Sequence, residues 1–347
     1  MATFWFLLVA LMLVAYVVLD GFDLGVGAIY KWVARTPDER AVVRASIGPV
    51  WDANEVWLLA AGGTLYFAFP ALYAASFSGF YLPLMMVLWL LMGRALGLEL
   101  RAHADDGVLT AACDTVFMIS SLLLAVFFGA ALGNVLRGVP IEADGYFFLP
   151  LWTNFLPGPR PGVLDVYTVL CGLVALAAIV THGAHYLAFR SEGPVNVRSR
   201  RIARAGTFLL PLLTVASLGA TLAVRPSITD NFRVYPVGLL IPAAVVGSLV
   251  VMALAVRRQR EKQAFYASVV YLVSMLGGAA FALFPVLLPS SGDPARSLTV
   301  QGAATSGYGM RVALSWWLVA LVLVTASFTH LYRTFRGKIG PGGDGYH

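Results

Sequence analysis

Asp20 and Asp23 stand in "VVLDGFDLGVG" (17–27), inside an apolar run that begins at Phe4. Their three-residue spacing puts both carboxylates on one face if the run is a helix. "IGPVWDANEVWLL" (47–59) repeats the spacing with Asp52 and Glu55, and "GRALGLELR" (93–101) supplies Arg94, Glu99 and Arg101. Asp114 sits in a fourth apolar stretch. Carboxylates taken out of water either pair with a base or hold and release protons. Arg94 and Arg101 are the natural pairing partners. Six acids against two bases favour some members that carry protons over pure pairing.

Other reactive residue types argue for less. His182 and His185 in "THGAHYLAFR" (181–190) share a face and could ligate a metal. They fit better as interfacial anchors at headgroup level, with Tyr186 and Arg190. His103 and His330 lie at helix ends and read the same way, and His347 is the terminal residue. No haem or metal ligand set is expected in this chain. Cys113 and Cys171 lie in apolar segments without CxxC spacing and read as small buried residues. "GFDLGVG" is no dinucleotide fingerprint, because no strand precedes it. Gly21, Gly25, Gly27, Gly62 and Gly63 read as close helix-packing positions.

The elements that must hold these groups follow from composition. Of 347 residues, 59% are hydrophobic and only 12% charged, with a mean hydropathy of +0.79. A soluble domain carries roughly 25% charged residues, so most of this surface must meet lipid or protein. A span needs about 20 apolar residues. Nine candidates result: 3–30, 47–68, 72–101, 108–136, 163–189, 204–224, 234–256, 263–288 and 310–335. The first is too long for a signal peptide and lacks its basic flank, so it reads as a retained helix. The expected class is an all-α integral membrane protein of one domain, 1–347. An outer loop, 137–162, and a cytoplasmic tail, 336–347, complete it.

Basic residues set the orientation. Seventeen of the 24 Lys and Arg fall in loops on one side and six on the other, with Arg94 left inside a span. The rule that cytoplasmic loops are basic puts the N-terminus outside and the C-terminus in the cytoplasm. It also accounts for the net charge of +6 without nucleic acid. Asp20 then lies roughly 25 Å along the first helix, at 1.5 Å per residue. Asp23, Asp52, Glu55, Arg94, Glu99, Arg101 and Asp114 map to the same cytoplasmic half, and spans five to nine add no interior carboxylate. Two readings stand: a salt-bridge network that holds the bundle, or a hydrated proton inlet that ends inside the protein.

The stretches that carry these groups resemble a known family. "LDGFDLGVG" (19–27), "GPVWDANEVWLLAAGGTLYFAFPALYAASFSGFY" (48–81), "GRALGLELR" (93–101), "FGAALGNVLRGVPI" (128–141) and "FPVLLPSSGDPARSLTVQGAATSGYGM" (284–310) are similar, in order, to subunit II of the cytochrome bd-type quinol oxidase. The resemblance implies two four-helix bundles, about 1–136 and 163–335, the second with one extra helix. It implies a heterodimer with a larger subunit I that carries haem b and haem d. That complex oxidises quinol near the outer face and reduces dioxygen to water in a bacterial or archaeal cytoplasmic membrane. Quinone, membrane lipid and, in some members, small single-helix subunits are the other implied partners. By the same resemblance Asp52 is the first candidate for proton delivery, with Asp20, Asp23 and Glu55 supporting. Trp51 and Trp57 would flank the channel and Asn54 would orient it.

Dioxygen reduction consumes protons, so such a complex needs an inlet on the cytoplasmic side. Two rivals remain: a proton-coupled secondary transporter and a purely structural assembly subunit. Transporters of that class typically show paired repeats with broken helices, and nine spans do not halve.

Overall fold

A run of 32 helical residues, Ala2–Val33 (α1), opens the chain, and the rest of the fold is built around its second half. The computed structural model describes residues 1–103, 106–158 and 161–340. Residues 159–160 of the expected outer loop, and 341–347 of the expected tail with His347, lie outside the described residues.

After α1 come α2 (Pro37–Ile47), α3 (Trp51–Ala68), α4 (Pro70–Gly79), α5 (Tyr81–Ala102) and α6 (Gly107–Arg137). The second half holds α7 (Val166–Arg190), α8 (Gly193–Val224), short α9 (Asp230–Val234), α10 (Leu240–Arg257) and α11 (Glu261–Leu283). A small antiparallel pair, β1 (Val286–Leu288) with β2 (Leu298–Thr299), precedes α12 (Gly307–Thr334). Among the described residues eight helices are long and apolar enough to cross a membrane, nine if α3 and α4 form one bent span.

Four of the expected spans coincide with α1, α6, α7 and α12 to within three residues. The expected span 72–101 does not exist as one helix. Its first residues form α4, which departs from α3 by 118° with Pro70 in its first turn. The helix proper restarts at Tyr81. Span 204–224 begins earlier, at Gly193, because Pro194 fits the first turn of a helix. Span 263–288 stops at Leu283, where the chain turns into β1.

From Asp20 to Tyr30 every residue of α1 is buried, around the whole circumference. That is possible because α3, α6, α7 and α11 all pack against it. Gly25 lets α7 come closest: a Cβ there would lie 2.1 Å from the Ile179 carbonyl oxygen, and one on Gly183 would meet the α1 backbone at 2.5 Å. Gly21 and Gly27 are also packing positions, against Ile179 and Ser121. Gly62 and Gly63 meet no other helix of this chain, since nothing among the described residues lies within 4 Å of a Cβ built on either.

The basic residues gather where α1 ends, and this basic end has its own core of Phe22, Val26, Ile29, Val43, Ile47 and Leu187. At the opposite end Trp5, Phe69, Val139, Leu149, Leu288 and Val300 form a second core beneath the loops. A buried ion pair lies there too, at the very start of the fifth span and outside its apolar interior. Asp165 caps α7, and Arg137 donates to it, to Asn134 Oδ1 at 2.5 Å and to the Gly162 carbonyl at 3.2 Å. No residue in the most apolar window of α12 is buried, so lipid or another chain must cover it.

α2 was hidden in sequence because it is no span. It is a surface helix opened by a capping box: Thr36 Oγ1 accepts from the Glu39 amide at 3.3 Å, and Glu39 Oε2 accepts from the Thr36 amide at 3.2 Å. The same oxygen accepts from Arg198 Nη1 of α8 at 2.7 Å and the Arg35 amide at 2.6 Å. Arg198, then the two amides, hold the Glu39 carboxyl down at about 2 against the usual 4.5. Its contribution to stability is therefore full above pH 4.5 and lost as pH falls towards 2. The melting temperature of Glu39→Gln should lie below that of the wild type at neutral pH, with the gap closing through that acid window. A gap independent of pH would remove the ionised Arg198–Glu39 pair as its cause.

Candidate functional site

The polar groups at the basic end form two clusters, not one. In the first, Arg94 of α5 reaches α1 and grips Asp20 with both arms of its guanidinium, Nη1 to Oδ2 at 2.7 Å and Nη2 to Oδ1. Asp20 is 0% exposed and Arg94 1%. Glu55 Oε2 lies 3.9 Å from Arg94 Nη1, outside hydrogen-bond range. The Trp51 ring lies 5.7 Å beneath the guanidinium and closes the pair from below. Asp20 therefore belongs to a saturated, forked ion pair of the strongest kind.

Asp23 is also fully buried, yet among the described residues it has no cation of its own. Asn54 Nδ2 donates to its Oδ2 at 2.8 Å and to the Leu19 carbonyl at 3.3 Å. Tyr332 of α12 donates to Asn54 Oδ1 at 2.8 Å, which fixes the way the amide faces. The other carboxyl oxygen of Asp23, Oδ1, is buried without a hydrogen-bond partner. A proton can occupy that atom without breaking an ion pair, as it cannot at Asp20. One turn before Asp20, the Tyr16 hydroxyl is buried with no partner either, so a polar row of Tyr16, Asp20 and Asp23 runs along α1.

The way out of this cluster runs along α3. Glu55 is partly exposed, its side chain 22%, and Asp52, one turn nearer the helix start, is exposed and has no ion-pair partner among the described residues. Asp52, Glu55 and Asp23 thus go from open to sealed, with Asp20–Arg94 beside the last step. The Trp57 ring packs 5.7 Å from Phe328 of α12, which in turn stacks on Tyr332.

Asp114 belongs to the second cluster. Its Oδ2 accepts from Arg40 Nη1 of α2 at 2.8 Å, and Arg101 Nε lies 3.3 Å from Oδ1. Lys31 Nζ donates to Thr115 Oγ1 at 2.6 Å beside it. Two arginines on one carboxylate make this an anchor for α2, α5 and α6. Glu99, expected among the buried acids, is exposed and outside both clusters.

Sequence reasoning missed Tyr332, Tyr16 and Arg40. Tyr332 carries no signal, since a tyrosine near a span end reads as an interfacial anchor. Arg40 could have been found through the T-x-x-E capping box that starts α2.

His182 and His185 are not headgroup anchors. His182 is fully buried, with Nδ1 2.7 Å from Ser268 Oγ, Nε2 2.9 Å from the Val18 carbonyl, and Phe265 stacked on its ring. His185 is buried with Nε2 3.0 Å from Thr207 Oγ1, and Tyr186 donates to the Ser46 carbonyl at 2.8 Å. Arg190 donates to the carbonyls of Phe335 and Gly337. With both ring nitrogens of His182 engaged, this pair does not fit a haem ligand set. No group of three or more potential metal ligands exists among the described residues.

Comparison with known proteins gives one answer throughout. The family model described as cytochrome bd terminal oxidase subunit II matches residues 1–335. The chain is 32% identical over 352 residues to cytochrome bd-I ubiquinol oxidase subunit 2 of Escherichia coli, covering 94% of this chain and 91% of the relative. It is 30% identical over 338 residues to cytochrome bd ubiquinol oxidase subunit 2 of Bacillus subtilis, covering 96% of each. Among solved structures, a chain of the bd oxidase from Geobacillus thermodenitrificans superposes with a TM-score of 0.76. That match covers 96% of this chain and 98% of the other at 17% identity, and it speaks for the fold.

Proposed function

Because the chain belongs to the cytochrome bd terminal oxidase subunit II family, and is thus part of a quinol oxidase complex, we propose that its α1–α3–α5 cluster is the mouth of a proton inlet. Protons enter at Asp52, pass Glu55 and reach Asp23, on their way to the site of dioxygen reduction. One observation carries this reading: Asp23 is sealed, held by a fixed amide and left without a cation, while an exposed and a half-exposed carboxylate lead out from it. Asp20–Arg94 and Asp114–Arg40–Arg101 hold the helices in register around the route and carry no protons.

The basic end faces the cytoplasm in this reading, with the N-terminus outside, as the distribution of Lys and Arg supports. The helices group as two four-helix bundles, α1, α3, α5, α6 and α7, α8, α10, α11, with α12 the extra one. The partner is the larger subunit, which carries the haems b and d; the engaged nitrogens of His182 support their placement there. The chemistry supplied by those haems is electron transfer from quinol to dioxygen. This chain stabilises that subunit and brings it protons. The membrane is the bacterial inner membrane. Family membership speaks against the transporter reading.

The test is Asp52→Asn, which keeps the side chain's shape and removes its proton. Haem absorption and assembly should stay normal while quinol-driven dioxygen consumption falls severalfold or more. Asp230→Asn and Asp293→Asn, at the opposite end, should leave turnover near normal. The purely structural reading expects the reverse: less complex, with full specific activity in what survives.

A further inference from the structure

Behind the proton cluster, at the same end of the molecule, the first turns of α8, the last turn of α10 and the start of α11 enclose a cavity of about 390 Å³. Five arginines line it, Arg200, Arg201, Arg204, Arg257 and Arg260, against one carboxylate, Glu261. That carboxylate is already committed. Its Oε1 accepts from Asn196 Nδ2 at 2.8 Å, its Oε2 from Lys338 Nζ at 2.8 Å, and Arg200 Nε is 4.0 Å away. Arg201 and Arg204 are exposed and take no part in the ion pairs at this end among the described residues. Arg257 rests on the Phe208 ring at 6.0 Å, which steadies the guanidinium and leaves its donors free. So much unmatched positive charge in one concavity calls for an anion that offers several acceptor oxygens.

The walls say which anion. Arg204, Phe208 and Leu212 follow one another at four-residue steps along α8, so one face passes from basic to apolar. On α10 the same change runs from Arg257 through Leu254 to Val250. Phe208, Leu212, Leu254 and Val250 are all exposed, and α8 packs against α10 with Arg257 over the Phe208 ring, so apolar surface on both helices continues from the basic cavity. An inorganic anion would use the arginines and leave that apolar surface idle. We infer that this cavity is a binding site for the phosphate headgroup of an anionic glycerophospholipid, whose acyl chains lie along the apolar surface of α8 and α10. Basic pockets between membrane helices recognise such headgroups through these two features together. The site uses no residue of the proton route and stands independently of it.

The experiment uses the assembled oxidase complex, delipidated and returned to nanodiscs of phosphatidylcholine with or without phosphatidylglycerol. Native mass spectrometry of the released complex then counts retained lipid. Phosphatidylglycerol should be retained in preference to phosphatidylcholine, and Arg201→Gln and Arg204→Gln should each weaken its retention about fivefold. Both variants should keep full haem content and turnover, since neither residue touches the proton cluster. Excess inorganic phosphate should not displace the lipid. Equal retention of the two lipids by the wild-type complex would overturn the inference, whether or not the variants assemble. So would unchanged phosphatidylglycerol retention in both variants, or displacement by phosphate alone, which would mark a site for a free anion.

Discussion

Replacing Arg94 by glutamine should abolish assembly of the oxidase complex, not slow it. Arg94 is 1% exposed and, among the described residues, its fork is the only cation on Asp20, which is 0% exposed. Removing one partner of such a pair leaves an uncompensated buried charge and costs about 3–5 kcal/mol. That is a large share of the roughly 5–15 kcal/mol by which a folded domain survives. Glu55 makes matters worse, because it adds a second acid near the same spot. Asp20→Asn should fail in the same way by stranding the arginine. The double variant Arg94→Gln/Asp20→Asn removes both charges and should recover much of the lost complex, since paired amides can hydrogen-bond where the ions stood. Yield of haem-bearing complex from membranes, followed by size-exclusion chromatography, measures all three. Normal yield from either single variant would mean that the pair does not hold α5 to α1.

Asp23→Asn should behave oppositely: full assembly and a severalfold or greater loss of quinol-driven dioxygen consumption. Asparagine has the same shape, and its carbonyl oxygen can accept the Asn54 hydrogen bond that Asp23 Oδ2 accepts now. Its amide replaces an oxygen that has no partner, so no buried group loses a hydrogen bond. Only the exchangeable proton disappears. Combined with Asp52→Asn, it should cost little more than either alone, because one broken link already stops a relay. Additive losses would indicate two independent effects on the complex.

The division of labour between these acids was only partly legible in the sequence. Apolar run length located α1, α6, α7 and α12 well, because a membrane helix must satisfy its whole backbone internally and so must be long. It failed at Phe80 and Leu283, where the chain breaks inside apolar sequence and the signs are single residues, Gly79 and Pro285, that run length passes over. It also passed over α2, whose signal is a capping box and not hydropathy. Asp20 and Asp23 were recognisable as a buried pair, yet nothing in their spacing says that one is ion-paired and the other is not. That difference is made by Arg94, 74 residues away, and by Asn54 and Tyr332, 278 residues apart. Asp114 looked like a member of the same cluster until Arg40 and Arg101 accounted for both its oxygens. Glycine marks a close approach where α7 crosses α1 but meets no helix of this chain at Gly62 and Gly63, because a glycine by itself does not say which face of its helix has a neighbour.

Proton entry from the basic end through Asp23 can be followed as proton uptake in vesicles that hold the complex with that end outward, with a pH-sensitive dye in the medium. The wild-type complex should alkalinise the medium at a rate matched to its dioxygen consumption. Asp23→Asn, with its haem spectrum intact, should lower uptake and dioxygen consumption together, severalfold or more. Full-rate uptake from that side by a fully assembled Asp23→Asn complex would contradict the account and leave Asp23 as part of the helix packing alone.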